Sequence, residues 1–301
     1  MLQKQNLQYI ILILCFVWLC LMGLTRLVHG PAERESVAAE SAYDRILRTN
    51  TIRCGYILYP PAVIKDPNSG ELSGIAVEIM NKIAARLSLK IDWTEETTFA
   101  TNVQGLQSNR YDAVCVTYWQ NPAEGKFVGF STPFYYSGLV AAHRCPDGKT
   151  PQTDSGPDMA ALNDPAINFA SIDGTVESRV IADRFPNAHA VTLPNVTGVT
   201  EMLLNVASRK ADYTMAEYYQ FALWNKNNPE QLLCPSRKPV TVFANVIALP
   251  IGDMKLKSMI DTALIDILHS GEVDQILDSW ESKYPHSFYR IAPDYQAQDK
   301  P

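Results

Sequence analysis

The sequence predicts an α/β protein made of two successive strand-helix-strand-helix-strand units behind an apolar N-terminal leader. Three observations carry that expectation. Short apolar runs alternate with segments whose apolar residues recur every third or fourth position, first over residues 51–117 and again over residues 167–216. A loop rich in Pro, Gly, Asp and Ser, from Cys145 to Pro157, separates the two stretches. A 16-residue apolar run, Tyr9 to Leu24, precedes both. Strands joined through helices need crossover connections, and crossovers imply parallel pairing.

Taken in order, the leader follows a short region carrying Lys4 and reads either as a cleaved signal, with Val28 and Gly30 in small-residue spacing, or as an uncleaved anchor. Both readings export the rest of the chain. Residues 31–42 read as a polar linker, and the fold begins near Tyr43. Thr51 to Leu58 is strand-like and stops at Tyr59, Pro60 and Pro61. Ile75, Ile79, Ile83 and Leu87 then mark one apolar helix face opening at Gly74. Leu89 to Trp93 is a second strand, Val103 and Leu106 a short helix, and Tyr111 to Thr117 a third strand. The second unit repeats the pattern, with strands at Ile167 to Ile172, Ala188 to Leu193 and Asp212 to Ala216. Helices carrying Val180, Ile181 and Phe185, then Met202, Leu203 and Val206, lie between them. Gly138 to His143 and Val240 to Pro250 are further strands. Leu256 to Trp280 is two helical stretches broken at Gly271, and the tail beyond His286 has no periodicity.

Composition narrows the function. The 301 residues are 47% hydrophobic and 19% charged, which excludes fibrous and mostly disordered classes. Thirty-two Asp and Glu stand against 26 Lys and Arg, with no basic run, which argues against a nucleic-acid partner. The five histidines, at 29, 143, 189, 269 and 286, and the six cysteines form no metal-ligand spacing, so neither a metal nor a cofactor is expected. Cys15 and Cys20 belong to the leader. Cys54 and Cys115 sit inside apolar strand runs and read as small buried thiols, whereas Cys145 and Cys234 are the disulfide candidates of an exported chain.

Several blocks together resemble the bacterial extracellular solute-binding proteins of family 3, over about Tyr43 to Tyr284. They are Ile46 to Leu58 followed by YPP, GIAVEIMNKIAARL from Gly74, LQSNRYDAV at 106–114, FSTPFYYSGL at 130–139, DGT at 173–175, KADYTMAE at 210–217, and IALPIGD followed by LIDILHSGEVDQILDSW. The resemblance implies a two-lobed periplasmic-binding-protein (type II) fold with a central cleft. It also implies crossover strands near Gly138 to Arg144 and Thr241 to Leu249, both disulfide-candidate cysteines in the second lobe, and ligand capture between closing lobes. The implied division is leader 1–30, linker 31–42, first lobe 43–139 and 244–290, second lobe 140–243, tail 291–301. The implied role is a non-enzymatic periplasmic receptor that hands a small solute to an inner-membrane ABC permease or sensor, touching the membrane only through its N-terminal segment. The alternatives on this fold are a cyclohexadienyl-dehydratase-like enzyme and an accessory protein of a periplasmic dehydrogenase.

Carried over residue by residue, the resemblance points to seven ligand-binding candidates. Amino-acid-binding members clamp the ligand carboxylate with an Arg; counting back six from Phe130 puts Glu124 there, with Lys126 two residues along the same expected helix. Glu124 is thus either a cleft carboxylate or an ordinary solvated one. Counting from Asp212 puts Glu217 at the family's amine-binding acid. Gly174 and Thr175 open a helix whose backbone N–H groups suit an anionic or carbonyl oxygen. Ala76 replaces an acid usual in the family, while Glu78 is kept. Tyr59, Tyr118 and Trp119 fall at strand ends as flat walls, and of the adjacent pair one is expected to face the cleft. Two carboxylates and aromatics suit a cationic solute.

Overall fold

The structure, a computed structural model, describes residues 13–20, 40–146, 159–236, 238–284 and 287–290. The chain divides into two units, Met1–Glu40 and Ser41–Pro301. In the first, residues 13–20 are helical and exposed; among the described residues no helix is long and apolar enough to cross a membrane. The spacing at Val28 and Gly30 read as a candidate cleavage site, most of the expected 31–42 linker, most of the loop from Cys145 to Pro157 and the tail beyond residue 290 lie outside the described residues.

The second unit opens with α1 (Ala42–Thr49), which the sequence pattern left in the linker and the opening of the fold. Ser41 caps it by accepting the Asp44 N–H. Then come β1 (Thr51–Tyr56), the short pair β2 (Ile64–Lys65) and β3 (Leu72–Ser73), α2 (Ile75–Leu87), β4 (Lys90–Glu96), α3 (Asn102–Gln107) and β5 (Ala113–Trp119). β6 (Val128–Phe130) and the long β7 (Tyr135–Arg144) follow, then β8 (Asn168–Ile172), α4 (Val176–Arg184), β9 (His189–Leu193), α5 (Val199–Ala207) and β10 (Tyr213–Glu217). The chain closes with α6 (Tyr218–Asn227), β11 (Leu233–Pro235), β12 (Thr241–Pro250), α7 (Met254–His269), α8 (Glu272–Glu281) and β13 (Phe288–Tyr289).

The main strand order is β4-β1-β5-β12-β7-β10-β8-β9. On one side, β1 pairs in parallel with β4 and β5; on the other, β8 pairs in parallel with β9 and β10. β7 and β12 run antiparallel between the two halves, and each half buries its own apolar clusters against its own helices. This is the two-lobed type II periplasmic-binding fold. In the first half the buried stripe of α2, from Ile75 through Ile83, meets Ile52 of β1 and Leu264 of α7. Asp112, fully buried, ties α1 to the sheet by accepting the Arg53 backbone N–H at 2.7 Å and pairing with Arg45 and Arg53.

Two expectations need correction. Cys54 and Cys115 are not separate thiols: they form a disulfide, with Cα atoms 5.4 Å apart. β5 returns beside β1 in register Cys54 to Ala113, so residues 61 apart in sequence become cross-strand neighbours on one buried face. Cys145 and Cys234 are also bridged, at 5.0 Å, where β11 pairs with β7. Residues 122–127 are a turn rather than a helix, as Pro122 and Gly125 there favour.

Candidate functional site

Glu217 ends β10 directly before α6, and register sets its surroundings. It pairs with Leu139 of β7; Ser137 pairs with Phe243 of β12; Asn245 pairs with both Tyr135 and Trp119. Paired residues and every second residue along a strand share a face, so all of these side chains rise from one side of the sheet.

There the Glu217 carboxylate is 3% exposed and accepts the Tyr59 hydroxyl at 2.9 Å and the Tyr219 hydroxyl at 2.8 Å. Burial pushes its carboxyl above the usual range, and hydrogen bonds from Ser137, Tyr219, Tyr59 and Trp119 oppose that rise. Ser137 Oγ accepts the Trp119 indole N–H at 2.8 Å and the Asn245 Nδ2–H at 2.9 Å, which leaves its own O–H for Glu217. No Lys, Arg or His pairs with Glu217 among the described residues.

The rings around it come from both halves. Tyr59 reaches across because its loop is pinned: Ile75 N–H donates to Pro61 O and Ala76 N–H to Ala62 O. Gly74, at φ 121°, lets those carbonyls approach; a Cβ there would lie 2.5 Å from Ala62 O. Tyr59 meets Phe99 and Tyr219 edge-on at 5.7 and 6.0 Å, and Trp119 stacks on Phe243 at 4.8 Å. Burial, then the Glu217 charge, pushes the Tyr59 and Tyr219 hydroxyls well above the ordinary phenol range, so both remain donors.

Of the seven candidates, Tyr59, Trp119 and Glu217 converge. Tyr118 turns into the core of the first half, stacked on Phe130, and donates to Glu124 at 2.6 Å. Glu124 also accepts Asn121 Nδ2–H at 2.8 Å, so it is an anchored turn residue rather than a solvated helix carboxylate. Gly174 and Thr175 do open α4, with Thr175 as its N-cap. The sequence reading missed Ser137, Tyr219, Phe243, Asn245 and Glu177 of the first turn of α4. Burial first, and then the Glu217 charge, pushes the Glu177 carboxyl from 4.5 to about 6; its own backbone N–H, the Thr175 hydroxyl and Arg179 act the other way.

Comparison with known proteins bears on this arrangement. The Haemophilus influenzae "Probable amino-acid ABC transporter-binding protein" is 33% identical over 105 residues, 35% of this chain and 40% of that protein. The Bacillus subtilis "ABC transporter glutamine-binding protein GlnH" is 24% identical over 266 residues, 85% of this chain and 90% of that one. The crystal structure of an ancestral amino acid-binding protein, described as a precursor of cyclohexadienyl dehydratase, shares the fold at TM-score 0.66 and 23% identity, covering 80% of this chain and 99% of that one. The sequence pattern of the family matches residues 52–283, and the chain therefore belongs to the bacterial extracellular solute-binding proteins, family 3.

Proposed function

We propose that this protein is a periplasmic receptor, not an enzyme, that binds a small cationic solute at Glu217 and presents it to an inner-membrane ABC permease or sensor. One observation carries the reading: a buried carboxylate held by neutral donors and aromatic rings, with no cation of its own among the described residues. Such a group gains most from a ligand cation, which adds a charge-assisted hydrogen bond and rests against ring faces. The Tyr59 to Glu217 hydrogen bond joins the two halves, as expected of a cleft that closes on its ligand. We assign residues 43–139 and 244–290 to one lobe and 140–243 to the other, exported by a signal or anchor within residues 1–30. The relatives are named as amino-acid, glutamine and arginine binders, which supports a nitrogenous solute of similar size. An α-amino acid is less well served, because Glu124 stands where such binders place a carboxylate-clamping Arg.

Calorimetric titration of the exported part with amines, arginine, lysine, glutamine and glutamate tests this. Removing one partner of a desolvated charge pair costs roughly 2 to 5 kcal/mol, so Glu217→Gln weakens cation binding about thirtyfold to a few thousandfold. Tight binding of glutamate, unaffected by Glu217→Gln, overturns the reading.

A further inference from the structure

The helix that follows β8, the parallel neighbour of β10, carries a second carboxylate in its first turn. β8 and β10 pair in parallel with Phe169 opposite Tyr213 and Ala170 opposite Thr214, so that four residues on Asp173 comes level with Glu217. Gly174, at φ 73°, turns the chain there, and Thr175 caps α4, whose first turn carries Glu177. The Thr175 hydroxyl donates to Ile172 O at 2.7 Å, and the Glu217 charge pushes the Glu177 carboxyl up as the Glu177 charge pushes up the Tyr59 hydroxyl. A helix N-terminus attracts an anion. Here the chain supplies that anion itself, so a ligand carboxylate directed to α4 would have to displace Glu177 and then lie against Glu217. Arg179, whose charge lowers the Glu177 carboxyl, sits on the same helix.

A third group points the same way. Asn245 is fully buried on the Glu217 face of the sheet; its Nδ2–H is spent on Ser137, and its Oδ1 accepts no hydrogen bond among the described residues. A buried acceptor left unmade is costly, and what it lacks is a donor. A quaternary ammonium has none to offer, whereas a protonated amine has several.

We propose that Glu177 is the second anionic wall of the cleft, and that the solute is a small diamine-class dication without a carboxylate, one ammonium at Glu217 and the other at Glu177. This deepens the cationic reading of the same cleft and rests on it.

The test is calorimetric titration of the exported part with α,ω-diamines of three to six carbons, with amino alcohols of matched length, and with lysine. On the wild-type protein the best diamine binds at least about tenfold more tightly than its matched amino alcohol, and more tightly than lysine. Glu177→Gln weakens the diamine about tenfold or more and leaves the amino alcohol within about twofold; Glu217→Gln weakens both. The wild-type comparison stands without any variant. Equal affinity for diamine and amino alcohol, tighter binding of lysine, or a diamine affinity unmoved by Glu177→Gln overturns the inference. If amines bind in a Glu217-dependent way but show no preference for two charges, this inference alone fails; if no amine binds, the cationic reading fails with it.

Discussion

Glu177→Gln should change how stability depends on pH, without any ligand present. In the folded protein, burial and the neighbouring Glu217 charge push the Glu177 carboxyl from 4.5 to about 6, against the pull of its own backbone N–H, Thr175 and Arg179. The folded value is therefore above the unfolded one. Between about pH 4.5 and 6 the native state binds more protons than the unfolded chain, so stability falls as pH rises through that window and the loss is complete above it. A rise of this size corresponds to about 2 kcal/mol. Glu217 is raised in the same sense and Tyr59 stays protonated, but both are present in wild type and variant, so the difference between the two proteins isolates Glu177 and its coupling to Glu217. Urea unfolding from pH 4 to 7.5 is the assay. The variant should match the wild type near pH 4 and exceed it by about 2 kcal/mol at pH 7.5. A difference that stays constant across the window would mean that Glu177 ionises freely in solvent, and its placement over the start of α4 would fall.

Two further outcomes follow from the geometry. Replacing Cys54 and Cys115 by Ala removes a cross-link between residues 61 apart, which loop-closure entropy values at about 4 kcal/mol; urea unfolding measures it, and four titratable thiols in the denatured, unreduced exported part would refute both bridges. Ser137→Ala strips the acceptor used by the Trp119 and Asn245 N–H groups and one donor to Glu217. Each buried group left unpaired costs about 1 to 3 kcal/mol, so amine affinity should drop at least about tenfold, and wild-type affinity in calorimetry would remove Ser137 from the site.

Most of the architecture was legible in the sequence because period-2 and period-3.6 apolar patterns report which face of each element is covered. Thr51 to Leu58 and the strands of the second unit from Ile167 become parallel-paired strands, and the Ile75 to Leu87 stripe becomes α2. What the pattern does not contain is strand order. β5 returns beside β1 on the side away from β4, and this neighbour relation joins Cys54 to Cys115. α6 escaped notice for a different reason: YYQFALWNKN follows Glu217 with no breaker, and its buried residues Tyr219, Gln220, Phe221 and Trp224 mix polar with aromatic, so no clean apolar stripe marks it.

The candidate site was legible only where counting along one strand suffices. Glu217 follows from Asp212 within a single strand, and the strand end at Trp119 follows from β5. Ser137, Asn245 and Glu177 meet it through register across β7, β12 and β8, which lies between chains of local pattern rather than within any of them. Glu124 shows the same limit from the other side. Counting back from Phe130 singles out Glu124, yet its carboxylate is occupied by Tyr118 and Asn121 within the first half, so the proposed second anion comes from α4 instead. Both carboxylates then belong to the β10-β8-β9 half of the sheet, while Tyr59 belongs to the other. If the halves part, Glu177 and Glu217 stay together and Tyr59 leaves. In the proposed receptor, cation selection and closure therefore rest on different groups: the carboxylate pair would hold a cation before the cleft shuts, and the Tyr59 hydroxyl would reach Glu217 only in the closed form.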